Sequence, residues 1–153
     1  MSRVVKSIEV DIPLSIAFQE WMRFEALPRF MRGVVAVKQL DDRHLWWRAQ
    51  VFGLEQVWEL EIIDIVPGRV IAWSSYAGPR NRGAIMFEAL SPFDTRVSVE
   101  MHYDPQGFLE EVTDYFGVLN RWVERSLICF KDLMERPNSI LGRLPPAEEL
   151  VGQ

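Results

Sequence analysis

Residues 95–136 have the sequence TRVSVEMHYDPQGFLEEVTDYFGVLNRWVERSLICFKDLMER, in which two different periodicities follow one another. In residues 95–103 apolar and polar side chains alternate, which is the pattern of a half-buried β-strand. From about Pro105 to Arg136 the apolar residues recur every three or four positions, which is typical of an amphipathic α-helix. About 30 helical residues span roughly 45 Å, enough to cross a small domain. The stretch therefore predicts a strand followed by one long helix that covers a sheet.

Further alternating segments precede this stretch. The predicted strands are residues 3–11, 33–40, 43–51, 56–65, 70–75 and 83–90. The turns between the later strands are short, and Pro67-Gly68 suits the central positions of a type II turn, so these strands are expected to form an antiparallel meander. Between the first two strands, helical spacing predicts two short helices within residues 14–31. The fold class is therefore α+β, with a curved antiparallel sheet of about seven strands around a long C-terminal helix.

The predicted sheet has one apolar face. Every second residue along the strands belongs to an apolar set: Leu45, Trp47, Ala49, Val51, Trp58, Leu60, Ile62, Ile71, Trp73, Ile85, Phe87, Ala89, Val97, Val99, Met101 and Tyr103. The alternate positions carry charged residues in strand after strand. Because unpaired charges are too costly to bury, we expect the apolar set on a concave inner face.

Aromatic and apolar residues of this face and of the helix are candidates for binding a hydrophobic ligand. The candidates are Trp47, Trp58, Trp73, Phe87, Met101, Tyr103, Phe116, Leu119 and Trp122. The same residues are equally consistent with a filled core, and both interpretations stay open. The Tyr103 hydroxyl is either a polar contact for the ligand or, as is more usual at a strand end, bonded to water or backbone. The longest inter-strand loop is predicted at residues 76–82, and its segment 80–82 is either the mouth of a cavity or a solvated turn.

Composition narrows the classes of function. The chain has 153 residues, a net charge of −5 and a pI of about 5.1, and no run of basic residues marks a nucleic-acid interface. No spacing of His, Cys, Asp and Glu matches a metal site, and no catalytic arrangement or cofactor motif is recognisable. The only cysteine, Cys129, is expected to be a buried structural thiol, and His44 and His102 fall on the outer face.

The length favours one domain, residues 1–136, followed by a loosely ordered tail, residues 137–153. The first ten residues lack the apolar region of a signal peptide, and no apolar run approaches the 18 residues or so of a membrane span. We therefore expect a cytoplasmic protein, monomeric or weakly dimeric, without an integral membrane segment.

Local sequence adds a resemblance to a known family. The segments that carry it are ALPRFMRGV at 26–34, QVWELEI at 56–62, the turn 67–68, IAWSS at 71–75, RGAIMFE at 82–88, and TRVSV at 95–99 leading to YDP at 103–105. In this order and spacing, residues 3–136 resemble the START/Bet v 1-like (SRPBCC) superfamily, which has the helix-grip fold, and within it the bacterial polyketide cyclase/dehydrase branch.

The resemblance implies a cavity between the sheet and the last helix that holds hydrophobic ligands such as lipids, isoprenoids or polyketides. It also implies, as an alternative, an enzyme of the cyclase, aromatase or dehydratase type, whose members place polar or ionisable side chains inside the cavity. This chain departs from that pattern, because only Tyr103, Ser75 and the indole N–H groups supply polar atoms to the predicted inner face. A third alternative is a protein-interaction scaffold that uses the apolar residues Trp46 and Met86 of the outer face.

Overall fold

The computed structural model describes residues 2–51, 54–78, 80–104 and 115–136. In this part of the chain the strands are β1 (Ser2–Val10), β2 (Val34–Gln39), β3 (His44–Val51), β4 (Leu54–Val66), β5 (Val70–Ala77), β6 (Asn81–Ser91) and β7 (Asp94–Tyr103). The helices are α1 (Leu14–Met22), a short 3-10 helix (Phe24–Arg29) and α2 (Tyr115–Glu135). This is the predicted order of elements.

The seven strands of the described residues form one antiparallel sheet in the order β1-β7-β6-β5-β4-β3-β2. Strands β2 to β7 are a meander, and β1 joins it through β7, so that β1 and β2 are the two edges. The first helix and the 3-10 helix connect these edges. The predicted α+β helix-grip architecture is thus confirmed.

The type II turn predicted between β4 and β5 has the expected geometry. Gly68 has φ = +75°, which an L side chain rarely adopts, and the Arg69 N–H donates to the Val66 carbonyl at 2.8 Å. The turn therefore sets the register in which β5 returns along β4.

The inner and outer faces follow the predicted alternation almost throughout. The described side chains of the apolar set are buried, apart from half-buried Trp73 and exposed Ala89. The expectation for Ala89 is wrong, because the β6–β7 pairing shifts register between Ala89 and Ser91 at the end of the strand. Trp46 and Met86 lie on the outer face, where both are half-buried.

The predicted loop at residues 76–82 is also wrong in extent. Strand β5 continues to Ala77 and β6 begins at Asn81, which is buried with 5% of its surface exposed. The Asn81 N–H donates to Ser75 Oγ at 2.9 Å, so side-chain bonding continues the contact between the strands where their backbones separate. The segment 80–82 is therefore not a solvated turn, because Asn81 and Arg82 belong to β6 and only Arg80 precedes the strand.

Helix α2 lies against β1. Lys6 Nζ and Glu124 Oε2 are 3.0 Å apart, and Lys131 Nζ donates to the Glu9 carbonyl at 2.8 Å. Residues 105–114 of the predicted long helix and the predicted tail 137–153 lie outside the described residues.

Three aromatic rings pack together at one end of the core, and we call them the aromatic cluster. They are Trp21 of α1, Phe30 directly after the 3-10 helix, and Phe130 of α2. The ring centroids are 4.9 Å (Trp21–Phe30), 5.3 Å (Trp21–Phe130) and 5.0 Å (Phe30–Phe130) apart. Edge-on and tilted rings at these distances are in the preferred geometry of packed aromatic pairs. The cluster ties α1 to α2 at this end of the sheet.

Candidate ligand-binding cavity

A cavity lies beside the aromatic cluster, between the sheet and the helices. The space open to the centre of a water-sized sphere is about 90 Å³, several times the roughly 10–15 Å³ that one water molecule needs. The sheet contributes Leu45, Trp47, Trp58, Leu60, Ile62, Ile71, Trp73, Asn81, Ile85, Val99 and Met101. The helices and the residues beside them contribute Trp21, Phe24, Leu27, Met31, Trp122, Val123, Ser126 and Leu127.

Three indoles of the sheet, Trp47, Trp58 and Trp73, form what we call the tryptophan wall of this cavity. Trp47 and Trp58 are directly opposite each other in the β3–β4 register, and their rings are stacked at 6.0 Å with an interplanar angle of 15°. Flat rings in this arrangement present a broad apolar surface.

Trp73 is held in place by its neighbours on β6. Its Nε1–H donates to Asn81 Oδ1 at 2.8 Å. Gly83 lies opposite Trp73 in the β5–β6 register, and a Cβ at this position would lie 2.8 Å from the Trp73 ring and would also collide with the Glu100 carbonyl. The glycine therefore leaves the space that the Trp73 ring occupies.

A buried carboxylate supports the helical side of the cavity. Glu20 of α1 has 5% of its surface exposed, and its Oε1 is 2.6 Å from Arg29 and 3.3 Å from Arg23. These ion pairs join α1 to the 3-10 helix, from which Phe24 and Leu27 reach the cavity. At the far side, the Trp122 indole N–H donates to the Arg32 carbonyl and so connects α2 with the end of this segment.

The structure distributes the nine predicted ligand-binding residues unevenly. Five of them line the cavity: Trp47, Trp58, Trp73, Met101 and Trp122. Phe87 is buried outside the lining, against Phe18 at a centroid distance of 5.2 Å. Tyr103 and Leu119 are buried as well, with 0% and 4% of their surface exposed, and neither belongs to the described lining. The side chain of Phe116 lies outside the described residues.

The sequence pattern does not identify several lining residues. Trp21, Phe24, Leu27 and Met31 belong to the helical segment after β1, for which the pattern predicts no role in the cavity. Asn81 lies in a segment that the pattern predicts to be a loop. Ser126 carries a usable signal, because it lies three or four residues from Trp122, Val123 and Phe130 on the apolar face of α2.

The outer face has a depression of its own, of about 270 Å³, lined in part by Arg82, Ala84, Glu100 and His102. His102 Nε2 lies 3.0 Å from Glu100 Oε2, and Arg3 Nε lies 3.2 Å from the same oxygen. The hydrogen bond with His102 and the charge of Arg3 hold the pKa of Glu100 below its usual value. These are exposed or half-buried groups on the convex side of the sheet, and they do not reach the cavity.

The cavity lining contains no ionisable side chain among the described residues. Nor do three or more His, Cys, Asp or Glu side chains converge on a common point anywhere in the described ranges. None of the helices that the structure describes is both long enough and apolar enough to cross a membrane.

Comparison with known proteins gives one family and one fold. The family model described as "Polyketide cyclase / dehydrase and lipid transport" matches residues 10–132. A protein of Streptomyces lincolnensis, described as an uncharacterized 17.2 kDa protein in the melC2-rnhH intergenic region, is 32% identical over 143 residues, which are 93% of this chain and 95% of that protein.

Solved structures of low identity have the same fold. The Zhui aromatase/cyclase from Streptomyces sp. R1128 superposes with a TM-score of 0.77 at 15% identity, over 92% of this chain and 98% of that one. A Deinococcus radiodurans protein superposes with a TM-score of 0.70 at 24% identity, over 88% of this chain and 98% of that one. A START superfamily protein from Mycobacterium smegmatis superposes with a TM-score of 0.66 at 13% identity, over 84% of this chain and 90% of that one.

Proposed function

The chain belongs to the polyketide cyclase/dehydrase and lipid transport family, and from this premise we propose that it binds a hydrophobic small molecule in the cavity between its sheet and α2. The ligand class is lipid-like, isoprenoid-like or polyketide-like. The proposed contacts are the tryptophan wall, Met101 and Trp122. Phe87, Tyr103, Leu119 and Phe116 stay predicted ligand contacts without a described place in the lining.

One observation carries the proposal: a cavity of about 90 Å³ inside the protein is walled almost entirely by large apolar side chains. Protein interiors are packed as densely as organic crystals, and an unfilled apolar volume forfeits dispersion contacts around its whole wall. A ligand that fills the volume restores those contacts and is removed from water at the same time. Pockets of this kind, largely preformed and mostly apolar, are typical of small-molecule sites.

The first experiment is mass spectrometry of an organic extract from freshly purified protein, with a mock purification as control. We expect an apolar compound that co-purifies in proportion to the protein. The paired variants Val99→Phe and Val5→Phe make the test specific to the cavity. Val99 of β7 lines the cavity, whereas Val5 of β1 is 49% exposed on the outer face.

The Val99→Phe ring is expected to fill part of the cavity and to lower the amount of bound compound severalfold. Val5→Phe adds the same ring in water and should leave binding unchanged. Equal retention of the compound by both variants would place it outside the cavity and contradict the proposal. Overpacking in a core typically costs about 1–3 kcal/mol of stability. Circular dichroism is therefore used to check that both variants are folded.

The enzymatic alternative uses the same cavity. A cyclase or dehydratase needs a group that gives or takes a proton within hydrogen-bond reach of the substrate. In the described lining the polar side-chain groups are those of Asn81 and Ser126 and the indole N–H groups, none of which titrates near neutral pH. Binding requires only the groups that the lining has, and we therefore rank it above catalysis.

The protein-interaction scaffold has less structural support than ligand binding in the cavity. Lys38 Nζ lies 5.7 Å from the centroid of the Trp46 ring, so a neighbour on β2 already contacts this outer-face indole. The cytoplasmic location and the monomeric or weakly dimeric state of the protein stay predictions.

A further inference from the structure

Ser126 is an unusual residue for the wall of an apolar cavity. It lies on α2 with 3% of its surface exposed, and it lines the cavity between Val123 and Leu127. A serine inside a helix commonly donates its hydroxyl to the carbonyl four residues earlier. Among the described residues, the Ser126 Oγ has no hydrogen-bond partner at all. A buried hydroxyl without a partner costs free energy, so an occupant that satisfies it gains the difference.

The other unsatisfied polar atoms of the lining are donors. Within the described residues the indole nitrogens of Trp21 and Trp47 also have no partner, and an indole N–H can only donate. The side-chain carbonyl of the described lining, Asn81 Oδ1, already receives the Trp73 N–H at 2.8 Å. The Ser126 hydroxyl can accept as well as donate, but the Trp21 and Trp47 indoles can only donate, so the lining offers an occupant more unpartnered donors than acceptors.

The absence of charged side chains from the described lining also restricts the ligand. No Asp, Glu, His, Lys or Arg side chain belongs to the described lining. A carboxylate or an ammonium group would be desolvated there without a counter-charge, at a cost that one hydroxyl does not offset. A neutral oxygen that accepts a hydrogen bond, in an otherwise apolar molecule, matches both the donors and the absence of charge.

We propose that the ligand is an uncharged apolar compound bearing an acceptor oxygen of the ketone, quinone or ether type, and that the Ser126 hydroxyl donates to that oxygen and determines this specificity. The proposal rests on the proposed ligand-binding function. The serine selects between ligands of equal shape, because a hydrocarbon leaves the hydroxyl unsatisfied and a ketone does not.

The test uses two probes of matched ring size, 1-tetralone, which carries one ketone oxygen, and tetralin, which carries none. Their dissociation constants are measured by NMR titration of the ¹⁵N-labelled full-length protein and of two variants, Ser126→Ala and Ser98→Ala. Ser98 of β7 is on the outer face opposite Ser7 and serves as the control. Ala at position 126 keeps the helix and removes only the hydroxyl.

We expect Ser126→Ala to weaken 1-tetralone binding about tenfold, the loss of one hydrogen bond to a buried group, and to leave tetralin binding within about twofold. Ser98→Ala should change neither constant. A purely structural serine would shift both probes together, so the ratio of the two constants isolates the contact with the oxygen.

Two outcomes contradict the proposal in distinguishable ways. If both probes bind the wild type and Ser126→Ala does not change their ratio, the specificity assigned to Ser126 is wrong and the ligand-binding function stands. If neither probe shifts the resonances of the cavity residues up to the limit of its solubility, the ligand-binding function fails and the role of Ser126 fails with it.

Discussion

Two regions on the inner side of this molecule are built from the same kind of residue and differ in what they do. In the aromatic cluster, Trp21, Phe30 and Phe130 come from separate segments, and their rings meet edge-on or tilted with centroids 4.9–5.3 Å apart. In the tryptophan wall, Trp47 and Trp58 stack side by side on one sheet, and they face the cavity. Rings that arrive from different directions fill space, whereas rings that lie parallel on one surface leave the space in front of them open.

Trp21 marks the boundary, because it belongs to the aromatic cluster and also lines the cavity. The difference teaches that aromatic content does not separate a filled core from a binding site. What separates them is the direction from which the side chains come: the rings of the aromatic cluster meet from opposing helical segments, whereas those of the tryptophan wall stand on adjacent strands of one sheet. The aromatic cluster is therefore expected to determine stability, and the tryptophan wall to determine binding.

The largest expected effect is a loss of stability, and it is tested by the same Phe→Ala substitution in the aromatic cluster and in the cavity lining. Phe130 is fully buried in the aromatic cluster, and Phe24 is 5% exposed and lines the cavity. Phe130→Ala is expected to lower the free energy of unfolding by about 3–5 kcal/mol, the usual cost of such a cavity. Phe24→Ala should cost at least about 1 kcal/mol less, because one side of its ring already lacks contacts.

Urea denaturation measures both losses, and an apolar fluorescent probe measures binding. Phe24→Ala is expected to change probe affinity more than Phe130→Ala does. Equal losses of stability in the two variants would remove the distinction between the aromatic cluster and the cavity.

A smaller effect is expected at the carboxylate that supports both regions. Glu20→Gln removes the charge that holds Arg29 at 2.6 Å and Arg23 at 3.3 Å, and we expect a loss of about 1.5–3 kcal/mol in unfolding free energy, as for hydrogen bonds to charged groups. Both arginines reach solvent, so neither is left as a buried, unpaired charge. The control is Glu9→Gln, whose exposed pair with Arg96 at 3.8 Å should contribute close to nothing. Equal stability of the two variants would show that the Glu20 ion pairs do not support the 3-10 helix.

The smallest effect depends on pH and lies near the C-terminal end of α2. The hydrogen bond with Asp94 and the negative charge of Glu135 raise the pKa of Asp11 above its usual value of 3.8. Asp11 therefore binds its proton more tightly in the folded state. Its contribution to stability is fully present below the unfolded pKa and is lost as the pH rises through the folded pKa.

Asp11→Asn removes the repulsion that the ionised group meets at neutral pH and keeps a donor for Asp94. We expect the variant to unfold at a slightly higher temperature than the wild type at about pH 7. This advantage should shrink as the pH falls below about 4. Thermal melts across this range check the sign, and an advantage that grows on acidification would contradict the assignment.

Much of the fold was predictable because the alternation along the strands is strict. A slip of one residue would have put Glu59, Glu61 and Glu100 inside, so the sequence tolerates a single assignment of faces. The alternation does not predict that Ala89 is exposed, since a register shift near a strand end depends on the partner strand and leaves no local signal in the sequence. The alternation therefore determines faces better than it determines strand ends.

The cavity was predictable in part, because only some of its lining residues belong to an alternating strand pattern. The tryptophan wall follows from parity, but Asn81 lies in a polar segment that is locally typical of a turn, and its burial depends on the Trp73 indole eight residues away. Trp21 and Phe24 depend on how a helical segment folds back over the sheet, which the periodicity of that segment does not specify. Whether rings fill a space or surround it is a property of packing between elements.

The pairing of β1 with β7 has a consequence for the order in which the protein is made. Ser2 pairs with Tyr103 and Val10 with Thr95, about 85–100 residues along the chain, whereas the other pairings among the described strands join neighbours in sequence. At a synthesis rate of about 5–20 residues per second, strand β1 waits about 5–20 s for β7 to be made. During that time its backbone donors and acceptors are unpaired, and α2, which rests on β1, has not yet been made. Strand β1 thus precedes the other strands of the sheet in the sequence but takes its place after β7 has been made, and the interior closes only after α2 follows.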